Sequence, residues 1–186
     1  MSRYDELIDK NRREKADQIA DKTRQKLAGD ERMVRYVDAF VRALPEFYQA
    51  LVRNDVWNEY EHEQKSFLIP HREIIRCVQL KRWDARESWY ATDRAAITDE
   101  GRYLLLEGAG KIVKRPNGKY AYTVDSYEEL NVQRFAEHIC DALCLDRKSR
   151  QFASFERENY PELHAALMGD DADETAFQYF AFCLPK

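Results

Sequence analysis

Residues 111–124 read KIVKRPNGKYAYTV, and this stretch decides the fold class. Asn117-Gly118 supplies two residues that tolerate positive φ, as a type I′ turn between antiparallel strands requires. A two-residue loop would pair Arg115 with Tyr120 and Val113 with Tyr122. That register places the following side chains on one face of a β-hairpin: Val113, Tyr120, Tyr122 and Val124. Lys114 and Lys119 would lie on the other face.

The sequence before the hairpin indicates further strands. From Glu87 onward, short apolar runs alternate with Asp, Thr and Gly, which is typical of short strands with tight connections. The runs are Trp89-Tyr90, Ala95 to Ile97 and Tyr103 to Leu106. Together with the hairpin they predict a small antiparallel sheet.

The sequence after the hairpin indicates helices. Ser126 and Glu129 match a capping box, which predicts a helix from there to about Leu145. Two more helical stretches are expected around Phe152 and Phe155 and from 162 to 168, and the acidic run 170–174 fits a turn or a helix start. The aromatic C-terminus (Phe177, Tyr179, Phe180, Phe182 and Leu184) is too apolar to remain in solvent, so we expect it to pack on the core.

The N-terminal part of the chain predicts a series of helices. Charges of both signs surround a thin apolar stripe over 3–28, which predicts a long amphipathic helix that stops at Gly29. Asp30 is placed to cap a second helix, which Pro45 should end before it opens a third. A fourth helix is expected from Asp55.

Residues 72–86 fit either a helix or a strand. Ile74, Ile75, Val78 and Leu80 are interspersed with Arg72, Arg76, Lys81 and Arg82. We interpret the segment as a basic helix.

These elements predict an α+β fold, a mostly helical single domain around a small central antiparallel sheet. Residues 1–29 would form a charged N-terminal helix, and residues 30–186 one globular domain. The length of 186 residues and the 44% hydrophobic content suit a single core.

Composition limits the environment and the partners. The sequence has no long apolar span and no secretory signal pattern, so we predict a cytoplasmic protein that does not enter a membrane. Four cysteines, Cys77, Cys140, Cys144 and Cys183, mostly lie on apolar faces, as buried thiols in a reducing compartment do. The net charge of −4 provides no global attraction to nucleic acid.

Each motif with catalytic or cofactor-binding potential fails at a specific residue. Gly108-Ala109-Gly110-Lys111 lacks the first glycine and the final Ser or Thr of a phosphate loop. Glu59 and His62 form an E-x-x-H pair, but a di-iron bundle needs a second pair. Cys140 and Cys144 lack two further ligands at metal-type spacing. We therefore predict no cofactor and no metal, and an enzyme only if a site is assembled by the fold.

Two basic stretches give the alternative of nucleic-acid binding. The helix at 72–86 and the hairpin at 111–119 together could form a helix-plus-wing footprint. Tyr120-Ala121-Tyr122 also partly resembles the aromatic strand of an RNA-recognition motif, but it departs from that motif at Lys119 and Thr123.

The absence of catalytic signatures favours a non-enzymatic binding or regulatory protein, of inhibitor or adaptor type, with a protein or nucleoprotein partner. Either the N-terminal helix or the aromatic C-terminus could also pair two copies into a homodimer. The candidate contact residues are Arg72, Arg76, Arg82, Trp83, Trp89, Tyr90, Lys111, Lys114, Arg115, Lys119 and Phe180.

Overall fold

The structure, a computed structural model, describes residues 3–64, 71–80, 93–109, 111–114, 120–143 and 160–184. Several sequence-based expectations lie outside these ranges: the 117–118 turn, the helix around 152–155, and Cys144. Six candidate contact residues also lie outside them: Arg82, Trp83, Trp89, Tyr90, Arg115 and Lys119.

The described ranges contain four helices and seven strands. The helices are α1 (Arg3–Asn54), α2 (Val132–Ala142), α3 (Pro161–Met168) and α4 (Ala172–Cys183). The strands are β1 (Asn58–Gln64), β2 (His71–Gln79), β3 (Asp93–Thr98), β4 (Tyr103–Glu107), β5 (Lys111–Lys114), β6 (Tyr120–Val124) and β7 (Ser126–Leu130). The α+β class is confirmed. The predicted strands at 95–97 and 103–106 are confirmed as β3 and β4, and the predicted helix at 162–168 as α3.

Helix α1 is continuous over 52 residues, so the predicted helix ends at Gly29 and Pro45 are wrong. A proline inside a helix costs about 3 kcal/mol. The C-terminal half of α1 offsets this cost, because its buried residues each contribute about 1.5–3 kcal/mol and share one face: Val37, Phe40, Leu44, Phe47 and Leu51. The division into 1–29 and 30–186 stays a prediction.

The predicted helix at Asp55 is also wrong. Asp55 adopts a positive φ of 46° directly after α1, and the chain then enters β1. Residues in this left-handed region interrupt a helix, and Asp tolerates the conformation better than most residues.

Residues 71–79 form a strand, so the predicted basic helix at 72–86 is wrong over this range. Ile75 and Cys77 are buried on one face of β2, and Val78 on the other. Burial on both faces removes the clean alternation that distinguishes a strand from a helix.

The predicted start of the helix after the hairpin is wrong. Ser126 and Glu129 lie in β7, where the Ser126 hydroxyl donates to Glu107 Oε2 at 2.6 Å. The helix begins only at Val132, because the Asn131 side chain accepts a hydrogen bond of 2.9 Å from the Arg134 N–H. Asn131 is therefore the N-cap of α2.

The predicted hairpin is confirmed as the antiparallel pair β5–β6, but its register differs by one residue. Val113 pairs with Ala121, and Ile112 pairs with Tyr122. Lys114 and Tyr120 form the last pair before the loop, and five residues lie between them. In the predicted register Tyr120 pairs with Arg115, and four residues lie between those two. Since side chains alternate along a strand, Val113 and Tyr122 lie on opposite faces.

The strands form one seven-stranded sheet in the order β5-β6-β1-β2-β3-β4-β7. Neighbours are antiparallel except β1 and β6, which are parallel, so the sheet is mixed and larger than predicted. In a flat sheet β6 and β7 would lie about 24 Å apart, five strand spacings. Asp125 alone separates them in sequence, which allows about 7 Å between the Cα atoms of Val124 and Ser126. The sheet must therefore curl until its two ends meet.

The curled sheet separates two buried cores. Its outer face packs against the helices, with α4 stacked on α1 through Phe180 and Phe47, whose ring centroids lie 4.6 Å apart. This packing confirms that the aromatic C-terminus joins the core. The second core lies on the inner face: Tyr60, Ile75, Cys77, Ala96, Leu104, Leu106 and Val124. Cys77, Cys140 and Cys183 are buried, as predicted.

Candidate functional site

The N-terminal part of α1 is the most exposed segment of the described chain. At 1.5 Å per residue α1 is about 78 Å long, and of its described side chains only those from about Met33 onward pack against the core. Every described side chain from 14 to 28 is exposed. We call residues 14–34 the helical arm.

The helical arm carries an exposed apolar stripe. Ile19, Leu27 and Val34 are 66%, 58% and 60% exposed. Their spacing of eight and seven residues places them on one side of the helix. Val37 and Val41 continue the stripe into the core. The stripe is thus an extension of the core-facing side of α1 beyond the body of the protein.

Basic side chains border this stripe. Lys15, Lys22 and Lys26 are exposed and follow one another at seven and four residues, so they lie along the same side of the arm. A partner that covered the stripe would meet positive charge along this border. Acidic side chains are the complement.

The lysine-bearing hairpin forms an edge of the sheet. Within the described strands, β5 has one neighbour, β6. Ile112, Val113 and Lys114 are exposed. For Lys111 the structure describes the backbone only. Lysines on an edge strand discourage pairing with another sheet, which is a sufficient reason for their presence.

The two described arginines of β2 have different surroundings. Arg72 is exposed. Arg76 forms ion pairs with Asp99 at 2.9 Å and with Asp55 at 3.5 Å. Because β6 and β1 lie between β5 and β2, the hairpin edge and these arginines are three strand spacings apart, about 14 Å along the sheet. With 71–79 in a strand, the helix-plus-wing footprint does not form over the described residues.

Phe180 is buried, with 3% of its surface exposed, and it packs between Phe40 and Phe47. Its neighbour on α4, Phe177, is exposed beside a groove of about 170 Å³ between α1 and α4. The groove is lined mainly by apolar side chains. The Phe180 ring therefore belongs to the hydrophobic core and also lines this groove.

Polar side chains from three strands meet on the inner face of the sheet, and no sequence motif indicated that they come together. The Tyr127 hydroxyl donates to Glu73 Oε2 at 2.9 Å. The rings of His62 and Tyr127 pack edge to face, with 5.3 Å between their centroids. Burial, and then the hydrogen bond to Glu73, raise the pKa of Tyr127. This phenol therefore remains protonated at neutral pH and acts as a donor rather than a base.

A second polar group on the inner face involves Arg94. Its guanidinium Nη1 donates to Gln79 Oε1 at 2.9 Å. Tyr60 lies on the same face, and burial raises its pKa to about 12. The alternation of Tyr60 and His62 with Glu59 and Glu61 is the sequence signal that could have identified β1 as a strand with a distinct inner face.

The motifs considered for metals do not converge in the fold. Glu59 and His62 are three residues apart in a strand, so they lie on opposite faces. Among the residues that the structure describes, no three His, Cys, Asp or Glu side chains could hold a metal ion together. Within the same residues, no helix is apolar enough over a sufficient length to cross a membrane.

No known protein family, curated protein or solved structure shows a significant match to this chain.

Proposed function

We propose that this chain is a non-enzymatic binding or regulatory protein, of the inhibitor or adaptor type, that engages a protein partner through the helical arm. The observation that carries the proposal is the row of exposed apolar side chains Ile19, Leu27 and Val34 on a helix that extends beyond the body. Exposed apolar rows of this kind are typical of surfaces that bind another protein.

The partner that best fits the arm is an amphipathic helix with acidic residues beside its apolar side. Helix-in-groove and helix-on-helix contacts use anchors spaced at about one heptad, which matches the spacing from Ile19 to Leu27 to Val34. Acidic side chains on the partner would face Lys15, Lys22 and Lys26 and would fix its orientation.

The size of the stripe sets the expected affinity. Each apolar side chain contributes about 1.5–3 kcal/mol on burial, and association costs about 4–15 kcal/mol. Three anchors together contribute about 4.5–9 kcal/mol, which falls short of the upper part of that cost, so we expect the lysine border to contribute as well. We expect binding that weakens moderately with salt but persists.

The experiment uses the full chain as bait in an extract of its native host, with and without nuclease. Leu27→Asp and Ile19→Asp place a charge in the stripe, and Gln25→Asp places the same charge on the opposite side of the arm. We expect a protein that is retained after nuclease treatment, lost with the two stripe variants and retained with Gln25→Asp. Circular dichroism should confirm that all variants are folded.

Two outcomes would contradict the proposal. Capture that disappears with nuclease would favour the nucleic-acid alternative. Capture that is equal for the stripe variants and the wild type would place the interaction elsewhere on the molecule.

A further inference from the structure

We propose that the Arg94 end of the sheet's inner face binds a small oxyanion, the carboxylate or phosphate group of a ligand, through Arg94, Gln79 and Tyr60. This site is separate from the helical arm and does not depend on the function proposed above. It rests on three hydrogen-bond donors that the curled sheet brings to one face.

Arg94 provides the charge. It lies on β3 opposite Leu106 and two residues before Ala96, both of which are buried in the inner core, so it belongs to the inner face. Among the described residues its guanidinium donates to the neutral amide oxygen of Gln79, and no carboxylate pairs with it. A partly buried guanidinium usually pairs with an anion, because it has five N–H donors and a full charge.

Gln79 provides an unpaired donor. Its Oε1 accepts from Arg94, which fixes the orientation of the side-chain amide. Its Nε2 is buried and has no hydrogen-bond partner among the described groups. Buried polar atoms nearly always have a partner, and an unpaired amide donor costs about 1–3 kcal/mol. An acceptor from a ligand would remove this cost.

Tyr60 provides the third donor. Its side chain is buried in the inner core, and it pairs with Ile75 on β2, four residues from Gln79 on the same face. The charge of Arg94 acts on the Tyr60 phenol across this face and opposes the rise in its pKa that burial causes. The phenol stays protonated at neutral pH, so its hydroxyl can donate a hydrogen bond.

The three groups select the class of ligand. All three donate hydrogen bonds, and one carries a positive charge, so an anion with several acceptor oxygens is the complement. The neighbouring inner-face side chains Ile75, Cys77 and Leu106 are buried, and such low-dielectric surroundings strengthen each of these interactions. Glu73, the acidic residue on the inner face of β2, already accepts the hydroxyl of Tyr127.

The test measures thermal unfolding and isothermal titration of the full chain with sodium phosphate and with sodium acetate, at constant ionic strength maintained with sodium chloride. We expect one or both anions to raise the melting temperature in a saturable manner, because a ligand that binds only the folded state stabilises it. The anion that acts identifies the group that the site prefers. Chloride alone should have no saturable effect.

Three variants test the residues. Arg94→Met and Gln79→Leu should weaken binding at least tenfold, and Tyr60→Phe should weaken it less. Arg72→Met, which removes an exposed arginine from β2, is the matched control and should bind as the wild type does. If Arg94→Met fails to fold, Gln79→Leu decides the question, since it removes an unpaired polar group. The proposal is overturned if neither anion binds saturably, or if folded Gln79→Leu binds with unchanged affinity.

Discussion

The hydroxyl of Tyr127 on β7 lies 2.9 Å from Glu73 Oε2 on β2, although β3 and β4 separate the two strands in the sheet. Three strand spacings amount to about 14 Å in a flat sheet. The hydrogen bond therefore crosses the inner face, and it links β7, at one end of the curled sheet, to the central strand β2.

The first prediction concerns this link. Tyr127→Phe removes the hydroxyl and leaves the partly buried Glu73 carboxylate without it, so we expect the free energy of unfolding to fall by about 1–2 kcal/mol. Urea denaturation measures the change. Tyr122→Phe is the control, because Tyr122 is half-exposed and its hydroxyl has no hydrogen bond among the described residues. Equal losses in the two variants would mean that the Tyr127 hydroxyl does not stabilise the curled sheet.

The second prediction concerns the turn after β4. Gly108 has a φ of +64°, and a Cβ at this position would collide with the side chain of Asp125. Asp125 is the residue that joins β6 to β7, and its N–H donates to Glu107 O at 2.9 Å. Gly108→Ala should therefore lower the melting temperature, by the equivalent of about 1–3 kcal/mol.

Gly169→Ala is the matched control for that substitution. Gly169 has a φ of −79°, and a Cβ added there would lie 3.4 Å from two carbonyl oxygens of α3. We expect a small effect in differential scanning calorimetry. If Gly108→Ala were as stable as Gly169→Ala, the meeting of the two sheet ends at Asp125 would be looser than the structure indicates.

The third prediction concerns the thiols. Cys77, Cys140 and Cys183 are buried, so a polar disulfide reagent can reach them only after the structure opens. We expect these three cysteines to remain unlabelled in native buffer and to react in concentrated urea, as mass spectrometry of the labelled peptides would show. The Cys144→Ser variant removes the fourth thiol, so that only the three buried thiols are counted in the labelling experiment. Rapid native labelling of Cys77 would contradict the burial of the inner face.

The fourth prediction concerns alkaline pH. Burial raises the pKa of the Cys77 thiol from 9.0 to about 12 and that of the Tyr60 phenol from 10.0 to about 12. A raised pKa in the folded state stabilises the protein fully below the unfolded pKa, and this stabilisation is lost as pH rises through the folded value. The free energy of unfolding should thus decline between about pH 9 and pH 12. Urea titrations of the wild type and Cys77→Ala measure it, and the variant should show the shallower decline.

Local signals predict the parts of the fold that depend on few residues. Asn117-Gly118 is sufficient to predict the hairpin, and the acidic start of α4 is capped by Asp171, whose side chain accepts from the Glu174 N–H. The capping box at Ser126 fails because the same residue types can serve strand pairing, and Asn131 caps the helix instead. A local motif shows which secondary structures a segment can adopt, and the tertiary contacts decide which of them forms.

The inner-face site could not be predicted from the sequence. Tyr60, Gln79 and Arg94 lie on three strands, and none belongs to a recognisable motif. They share a face only because 71–79 is a strand and because its register with β1 and β3 places all three side chains on the inner side. The exposed stripe of the helical arm is visible in the sequence, since Ile19 and Leu27 follow helical spacing.

The fifth prediction concerns Pro45, which lies inside α1 although proline usually ends a helix. Its ring removes the hydrogen bond that the Val41 carbonyl would accept in an ideal helix, at a cost of about 3 kcal/mol, and its rigidity in the unfolded chain returns about 1 kcal/mol. Pro45→Ala should therefore raise the free energy of unfolding by about 2 kcal/mol, measured by urea denaturation. Glu46→Ala, at the next exposed position of α1, is the control and should change it little. A loss of stability in Pro45→Ala would mean that α1 bends at Pro45 in a way that its packing against α2 and α4 requires.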